Sequence, residues 1–451
     1  MKKWQYNTLL RIVKVTNPIL LTIPFGVCWY LAYADAVASP FYNKGNWLVI
    51  ALFPILYVTY GRIYEAFVIS LHRISEMVIA QILATLISDG ILYFITWLLT
   101  KHFPPVLPLL AAFAAQVLLS TAWCFLANRW YFKKFKPKKT AIIYDLRESF
   151  ENLISDYGLS KKFDVTSTAS IQEALDDDLK ILDGIEAIFL CGLHSHERNI
   201  VLKQCMYRNI KVYLIPNIGD VLMSSARRKH MFHLPILRVE RYNPSPEYLF
   251  IKRAFDIFVS GVALIVLSPI MIVVAIAIRA TDGGPAFYKQ CRLTKDGKTF
   301  NVLKFRSMRV DAEKDGVARL SSGENDDRIT PIGKIIRKCR LDELPQLINI
   351  LKGDMSIVGP RPERPEIAKT YEEELPEFAL RLQAKAGLTG YAQVYGKYNT
   401  TPYDKLQMDL MYISNPSFAE DLKIMFATIK ILFESESTEG IDAGSTTALK
   451  K

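Results

Sequence analysis

Four apolar runs dominate the first third of the chain, at about 18–36, 47–60, 79–100 and 106–128, against the roughly 20 residues a helix needs to cross a bilayer. They predict four transmembrane helices, the second short as drawn. Basic residues set the orientation. Lys2, Lys3, Arg11 and Lys14 precede the first run, Arg62 and Arg73 follow the second, and Arg129, Lys133, Lys134, Lys136, Lys138 and Lys139 follow the fourth. The positive-inside tendency puts these segments in the cytoplasm, and puts the loops 35–46 and 101–105, with one Lys each, outside. No small-residue cleavage site follows the basic N-terminal flank, so the first run is expected to stay as a helix. Asp89, inside the third run, reads as a bundle-facing structural acid.

A fifth run, Ile257–Ile278, holds 22 residues without a charge, enough for about 33 Å of straight helix. Lys252 and Arg253 precede it and Arg279, Lys289 and Arg292 follow it, so both ends are drawn to the cytoplasm. A hairpin satisfies both flanks. Ser268 and Pro269 fall at the middle, where Pro removes one helical hydrogen bond and the Ser hydroxyl can satisfy the freed carbonyl. The alternative is a kinked full span, which puts the rest of the chain outside the cell.

Between Lys139 and Arg241 short β-rich runs (Thr140–Tyr144, Ile185–Cys191, Lys211–Ile215) alternate with helix-like stretches, predicting a small parallel, Rossmann-like α/β unit. The first strand is followed by Asp145-Leu146-Arg147-Glu148-Ser149-Phe150, without the glycines of a GxGxxG turn, so dinucleotide binding is not expected. His194, His196 and Glu197 read as a solvated loop, not as a metal cluster.

Composition narrows the class. A chain with 50% hydrophobic and 22% charged residues is neither disordered nor collagen-like. The net charge of +11 sits in residues 1–139, where 14 Lys and Arg face 4 Asp and Glu; the remainder balances at 42 against 41. All six Trp also lie before residue 131. The charge therefore points to a membrane surface, and no nucleic-acid partner is expected. Cys28, Cys124, Cys191, Cys205, Cys291 and Cys339 form no CxxC pair and read as reduced, buried small hydrophobes.

Residues 280–434 contain no His, so acid–base or covalent chemistry there rests on carboxylates, Lys, Arg, Tyr or Cys. Arg337-Lys338-Cys339-Arg340-Leu341-Asp342-Glu343-Leu344-Pro345 leads basic residues into two adjacent acids, then an apolar run. The pattern predicts Asp342 and Glu343 in the opening turn of a helix, where free N–H groups favour carboxylates and phosphates. Taken alone, the bare pair reads rather as an N-cap acid followed by a dipole-favoured Glu.

Several separated motifs then occur in order: KRAFDIF before the fifth run, LSPI at its middle, GGPAFYKQ, KFRSM, RLDELPQLINILKGDMSIVGPRPE, KAGLTGYAQVYGK and MDLMYI. From Lys252 to about Phe433 the chain resembles the bacterial sugar transferases, monotopic polyprenol-phosphate phosphoglycosyl transferases, in their large form with four N-terminal spans. The resemblance implies a helical membrane bundle (1–138), a Rossmann-like α/β middle domain (139–245), an α/β catalytic domain with a re-entrant membrane helix (246–434) and a disordered tail (435–451). It implies transfer of a hexose 1-phosphate, glucose or galactose, from a UDP-sugar to undecaprenyl phosphate through an aspartyl intermediate, with release of UMP. That step initiates capsule, exopolysaccharide or O-antigen synthesis on the cytoplasmic face of the bacterial inner membrane.

By the same resemblance Asp342 is the nucleophile and Glu343 its partner, both acting on Mg²⁺. Lys304 of KFRSM and Asp409 of MDLMYI complete the catalytic set. Arg337, Arg340, Pro360, Arg361, Pro362 and Gln393 bind substrate, and Ser268 and Pro269 form the bend of the re-entrant helix. A homodimer in the lipid bilayer is expected. Two stretches depart from the family pattern, Ser414-Asn415-Pro416-Ser417 and KYNTTP at 397–402. A membrane-tethered scaffold with a decayed site is the rival reading, disfavoured by the intact set Lys304, Asp342, Glu343, Arg361 and Asp409; a larger multi-span transferase would need more than five apolar runs.

Overall fold

A computed structural model describes residues 3–38, 41, 44–145, 154–155, 158–310, 312, 328–396 and 400–431. The chain divides into two compact units, Met1–Ile215 and Pro216–Lys451.

The first unit opens with α1 (Lys3–Cys28), which continues through a π-helical turn (Trp29–Tyr33) and a 3₁₀ turn (Ala34–Ala36). Three further helices follow, α2 (Gly45–Ile63), α3 (Ile74–Thr100) and α4 (Leu107–Lys134). All are long and apolar enough to cross a membrane. Their contacts combine stacked rings, Phe25 on Phe53 at 5.4 Å, with buried polar links such as Asn17 Nδ2 to Gln81 Oε1 at 3.1 Å. Hydrogen bonds between side chains hold helices that lipid cannot drive together by the hydrophobic effect. Asp89 is buried.

A four-stranded parallel sheet follows, β1 (Lys138–Tyr144), β2 (Phe163–Ser170), β3 (Ala187–Cys191) and β4 (Lys211–Leu214), in the order β2-β1-β3-β4. Helices α5 (Ile171–Asp176) and α6 (Ser195–Tyr207) connect the strands. Ile143, Ile188, Leu190, Val201 and Cys205 fill one side, and on the other Phe189 stacks on Tyr213 while Phe163 meets both edge-on. Strand β2 escapes the sequence pattern because FDVTSTAS is largely polar and lies at the sheet edge. Most of the glycine-free segment after β1 (146–153) lies outside the described residues. His194 stands exposed at the start of α6, 3.5 Å from Asp145.

The second unit begins earlier than expected. Residues 216–245, predicted to close the middle domain, belong to it, because Ile218, Val221 and Leu222 of α7 (Ile218–Ser224) pack on the core around Leu406 and Leu410. An exposed antiparallel hairpin follows, β5 (Arg227–Met231) and β6 (Leu234–Arg238). Then comes α8 (Pro246–Asp282), 37 residues long, with Ser245 capping its start and Gly283 at φ 70° ending it. Helical backbone continues through Pro269, so a bend at Ser268 and Pro269 requires no break in the helix. Pro269 has no N–H for the Ile265 carbonyl, and the Ser268 hydroxyl donates to that carbonyl instead, at 2.8 Å.

Both ends of α8 are fixed to the same unit. Near the start, Lys252 Nζ lies 3.0 Å from Asp421 Oδ2, and Arg253 donates to the carbonyls of Ile350 and Leu351 at 2.6 and 2.8 Å. Asp256 accepts the Ile357 N–H at 3.0 Å. Near the end, Val274 and Ile278 pack against Phe305 and Ile336. Between them Phe258, Ile265 and Val273 are 69%, 76% and 66% exposed, an apolar face without protein cover.

The rest is a mixed α/β body. Strands β7 (Phe287–Leu293) and β8 (Thr299–Phe305) pair antiparallel. Helices α9 (Pro331–Lys338) and α10 (Gln346–Lys352) precede β9 (Ser356–Val358) and α11 (Pro365–Glu374). Strand β10 (Gly387–Thr389) pairs parallel with β9. Helices α12 (Tyr391–Tyr395), α13 (Pro402–Ser414) and α14 (Phe418–Ile431) complete the described chain. In the departing stretch 414–417, Ser417 caps α14 by accepting the Glu420 N–H at 3.2 Å. Residues 397–399 and the tail 435–451, expected to be disordered, lie outside the described residues. Cys28, Cys124, Cys191 and Cys205 are buried as expected, but Cys291 and Cys339 are exposed. Cys291 stands on the open ribbon β7–β8 and Cys339 follows the end of α9.

Candidate active site

Helix α9 ends at Lys338, and Arg340 turns the chain by adopting φ 54° in the left-handed region. Leu341–Glu343 then form a single 3₁₀ turn, with Leu344 N–H bonded to the Leu341 carbonyl at 3.2 Å. Asp342 and Glu343 therefore stand before α10 and not in its first turn, which corrects the predicted placement. The left-handed Arg340 separates them from α9, and Leu344–Pro345 stand between them and α10.

Strand β8 brings Lys304 to this turn. Asn349 of α10 sets the spacing, accepting the Leu303 N–H at 2.9 Å and donating to the Asn301 carbonyl at 2.8 Å. Lys304 Nζ lies 3.1 Å from Glu343 Oε1, Arg361 NH2 lies 3.4 Å from the same oxygen, and Arg340 NH1 lies 4.0 Å from Oε2. Burial pushes the Glu343 carboxyl up, but Lys304, Arg361 and Arg340 together hold it well below the usual carboxylate range. Asp342 moves the other way: burial and the neighbouring Glu343 charge raise it, against the pull of Lys304, Arg337 and Arg340. Burial and the positive charges of Arg361 and Arg292 lower Lys304. One acid is thus locked as an anion beside another whose charge is less favoured.

A pocket opens on this group, lined by Lys304, Glu343, Arg361 and Pro362 and by Arg292, Gln346 and Gln393. Gly387 closes one side, where a Cβ would stand 2.1 Å from the Gly359 nitrogen, so only glycine lets the backbones approach there. Gln393 donates to the Leu388 carbonyl at 3.2 Å and leaves its Oε1 buried without a partner. Pro360 lies buried, its carbonyl accepting the Gly387 N–H at 2.9 Å. Arg337 lies in the last turn of α9.

Asp409 is set apart from the pocket lining. It is 1% exposed and pairs with Arg381, whose NH2 lies 2.6 Å from its Oδ2. Arg381 also donates to the Arg361 carbonyl at 2.9 Å and lies 3.6 Å from Glu363. Arg292 donates to the Pro362 carbonyl at 3.0 Å. Asp409 thus reaches the site through Arg381, which holds the backbone of the Pro-Arg-Pro segment. Sequence reasoning missed Arg292, Gln346, Asn349, Glu363 and Arg381. Gln346 and Glu363 lay inside quoted motifs, whereas Arg381 carried no signal beyond being an arginine in the catalytic segment.

Three cations around the pocket suit a diphosphate, and the adjacent carboxylates supply oxygen donors of the kind a hard divalent ion takes one or two of, with water and phosphate completing its shell. Among the described residues no group of three or more His, Cys, Asp or Glu could hold a metal. Asp342 and Glu343 are the carboxylates there that would hold such an ion.

The family model described as bacterial sugar transferase matches residues 247–435. The chain is 38% identical over 234 residues to a UDP-N-acetylgalactosamine-undecaprenyl-phosphate N-acetylgalactosaminephosphotransferase of Aeromonas hydrophila, covering 51% of this chain and 54% of that one. It is 38% identical over 241 residues to an undecaprenyl-phosphate galactose phosphotransferase of Salmonella typhimurium, covering 50% of each. The match thus spans about half the length of these two relatives. An exopolysaccharide production protein of Rhizobium leguminosarum is 42% identical over 201 residues, covering 43% of this chain and 98% of that one.

Proposed function

This chain belongs to the bacterial sugar transferase family, and we propose that it transfers a hexose 1-phosphate, glucose or galactose, from a UDP-sugar to undecaprenyl phosphate. The observation that carries this reading is the convergence of Lys304, Arg361 and Arg340 on Glu343, beside the half-buried Asp342.

In the first step an Asp342 carboxylate oxygen attacks the sugar-bearing phosphorus of the donor. The bond to the bridging oxygen breaks, that oxygen leaves on UMP, and the phospho-sugar stays on Asp342. In the second step the phosphate oxygen of undecaprenyl phosphate attacks the same phosphorus and frees Asp342. Attack of one anion on another requires that phosphate charge be offset, which Lys304, Arg361 and Arg292 do from the pocket wall. Asp342 and Glu343 would hold Mg²⁺, which would supply further charge neutralisation. Glu343, held as an anion by its cations, stays in place for that role. Arg381 and Asp409 fix the backbone that carries Arg361. Splitting the transfer into two steps lets a soluble donor and a lipid acceptor use one site in turn.

Helix α8 supports placing the site at the cytoplasmic face of the inner membrane. Both of its ends pack on one unit while its middle is apolar and uncovered, as expected of a re-entrant helix and not of a span. The active species is proposed to be a homodimer, initiating capsule, exopolysaccharide or O-antigen assembly. The test is UMP release from a panel of UDP-sugars by purified protein with Mg²⁺ and undecaprenyl phosphate. One sugar should support release, and Asp342→Asn should abolish it together with any trapped phospho-sugar adduct. Undiminished turnover by Asp342→Asn would overturn the nucleophile assignment.

A further inference from the structure

The first unit carries a cluster of cations that sugar-phosphate transfer does not use. Lys138 opens β1, Lys162 immediately precedes β2 and Lys211 opens β4, so the sheet brings all three to one end. The ladder fixes this arrangement. Lys138 N–H donates to the Lys162 carbonyl at 2.9 Å, and Lys211 N–H donates to the carbonyl of Glu186, just before β3, at 3.1 Å. Lys138 lies in the positive field of Lys211 and Lys162, an arrangement that an ammonium group resists. Burial, and then the neighbouring lysines, bring Lys138 and Lys162 down to about 8. Among the described residues no carboxylate forms an ion pair with any of the three, and Glu186 acts on Lys138 only through space.

The cluster lies where the apolar helices end. Lys138 follows closely on the end of α4 at Lys134, and Lys162 Nζ donates to Ser70 Oγ at 3.0 Å, Ser70 belonging to the α2–α3 connection. As an acceptor toward Lys162, the Ser70 hydroxyl keeps its own hydrogen to donate.

We propose that Lys138, Lys162, Lys211 and the Ser70 hydroxyl form a phosphate-binding site between the apolar helices and the parallel sheet. Three ammonium groups and a hydroxyl approaching from different elements suit an acceptor with several oxygens around one centre, which a phosphate is and a carboxylate is not. An anionic phospholipid headgroup and a soluble phosphate both present this chemistry. A choline headgroup brings its own cation and is disfavoured.

The test uses the full chain in nanodiscs of phosphatidylcholine with and without phosphatidylglycerol, read by native mass spectrometry of retained lipid and by thermal unfolding with added inorganic phosphate. Each Lys→Gln substitution among Lys138, Lys162 and Lys211 should weaken binding about tenfold, and Lys→Arg should retain it. Ser70→Ala, outside the sheet, should weaken it about threefold and covers the case in which the lysine variants misfold. Retained phosphatidylglycerol that inorganic phosphate does not displace identifies a headgroup site. Stabilisation by inorganic phosphate without lipid retention identifies a soluble ligand. Equal lipid retention and equal phosphate response in wild type, the glutamine variants and Ser70→Ala overturn the proposal.

Discussion

Asp342 and Glu343 are neighbours in sequence and are driven apart in charge, because Lys304, Arg361 and Arg340 outweigh burial at Glu343, whereas at Asp342 burial and the like charge outweigh the pull of Lys304, Arg337 and Arg340. A raised carboxyl protonates at higher pH than its ordinary 3.8, so a reaction that needs the Asp342 anion loses rate as pH falls through that raised value. The acid limb of a kcat/KM profile should therefore lie above the position of a free aspartate. Glu343→Gln should move the limb to lower pH while reducing the rate, since it removes the like charge. A limb that stays in place in Glu343→Gln would detach it from Asp342. The buried Arg381–Asp409 pair makes a different prediction. Removing one partner leaves an uncompensated buried charge and should cost about 3–5 kcal/mol in a denaturant titration, whereas replacing both by apolar residues should recover most of that. UMP release should remain low in the double variant, because Arg361 has lost the guanidinium that holds its carbonyl.

Among the elements, the most legible were those whose pattern reflects burial directly. Helices α2, α3 and α4, strands β1, β3 and β4, and the uncharged core of α8 follow their apolar runs closely. The role of Ser268 in replacing the bond lost at Pro269 could also be read from the two residues alone. What stayed hidden depends on partners distant in sequence. Strand β2 is held by its neighbour and not by its own apolar content, and the β5–β6 hairpin is almost wholly exposed. Asp409, expected in the catalytic set, pairs with Arg381, 28 residues away in sequence. The unbroken course of α8 also changes what its proline is expected to do. The ends of the helix are held by Lys252, Arg253, Asp256 and Ile278, so Pro269→Ala should leave the topology unaltered. The exposed Cys291 and Cys339 report on this without engineered probes: impermeant maleimide should label them from the cytoplasmic side in wild type and in Pro269→Ala alike. Labelling from the opposite side in the variant would show that the proline, and not the anchored ends, sets the orientation.

At the scale of the molecule, the two units divide the work. The family motifs, the pocket and α8 all lie in Pro216–Lys451, and the Rhizobium relative corresponds to little more than the matched 201 residues. The first unit contributes apolar helices and a parallel sheet with its own cluster of cations. Anchoring α8 at both ends has a mechanical consequence. A spanning helix must match the hydrocarbon thickness of its bilayer and tilts or deforms the lipid when it does not. In the proposed re-entrant placement, a helix held at both ends by one unit has no far side to match, and would work as a depth gauge referenced to a single leaflet. Turnover measured in bilayers of increasing acyl-chain length should accordingly owe no thickness dependence to α8, and any that appears should be traced to α1–α4.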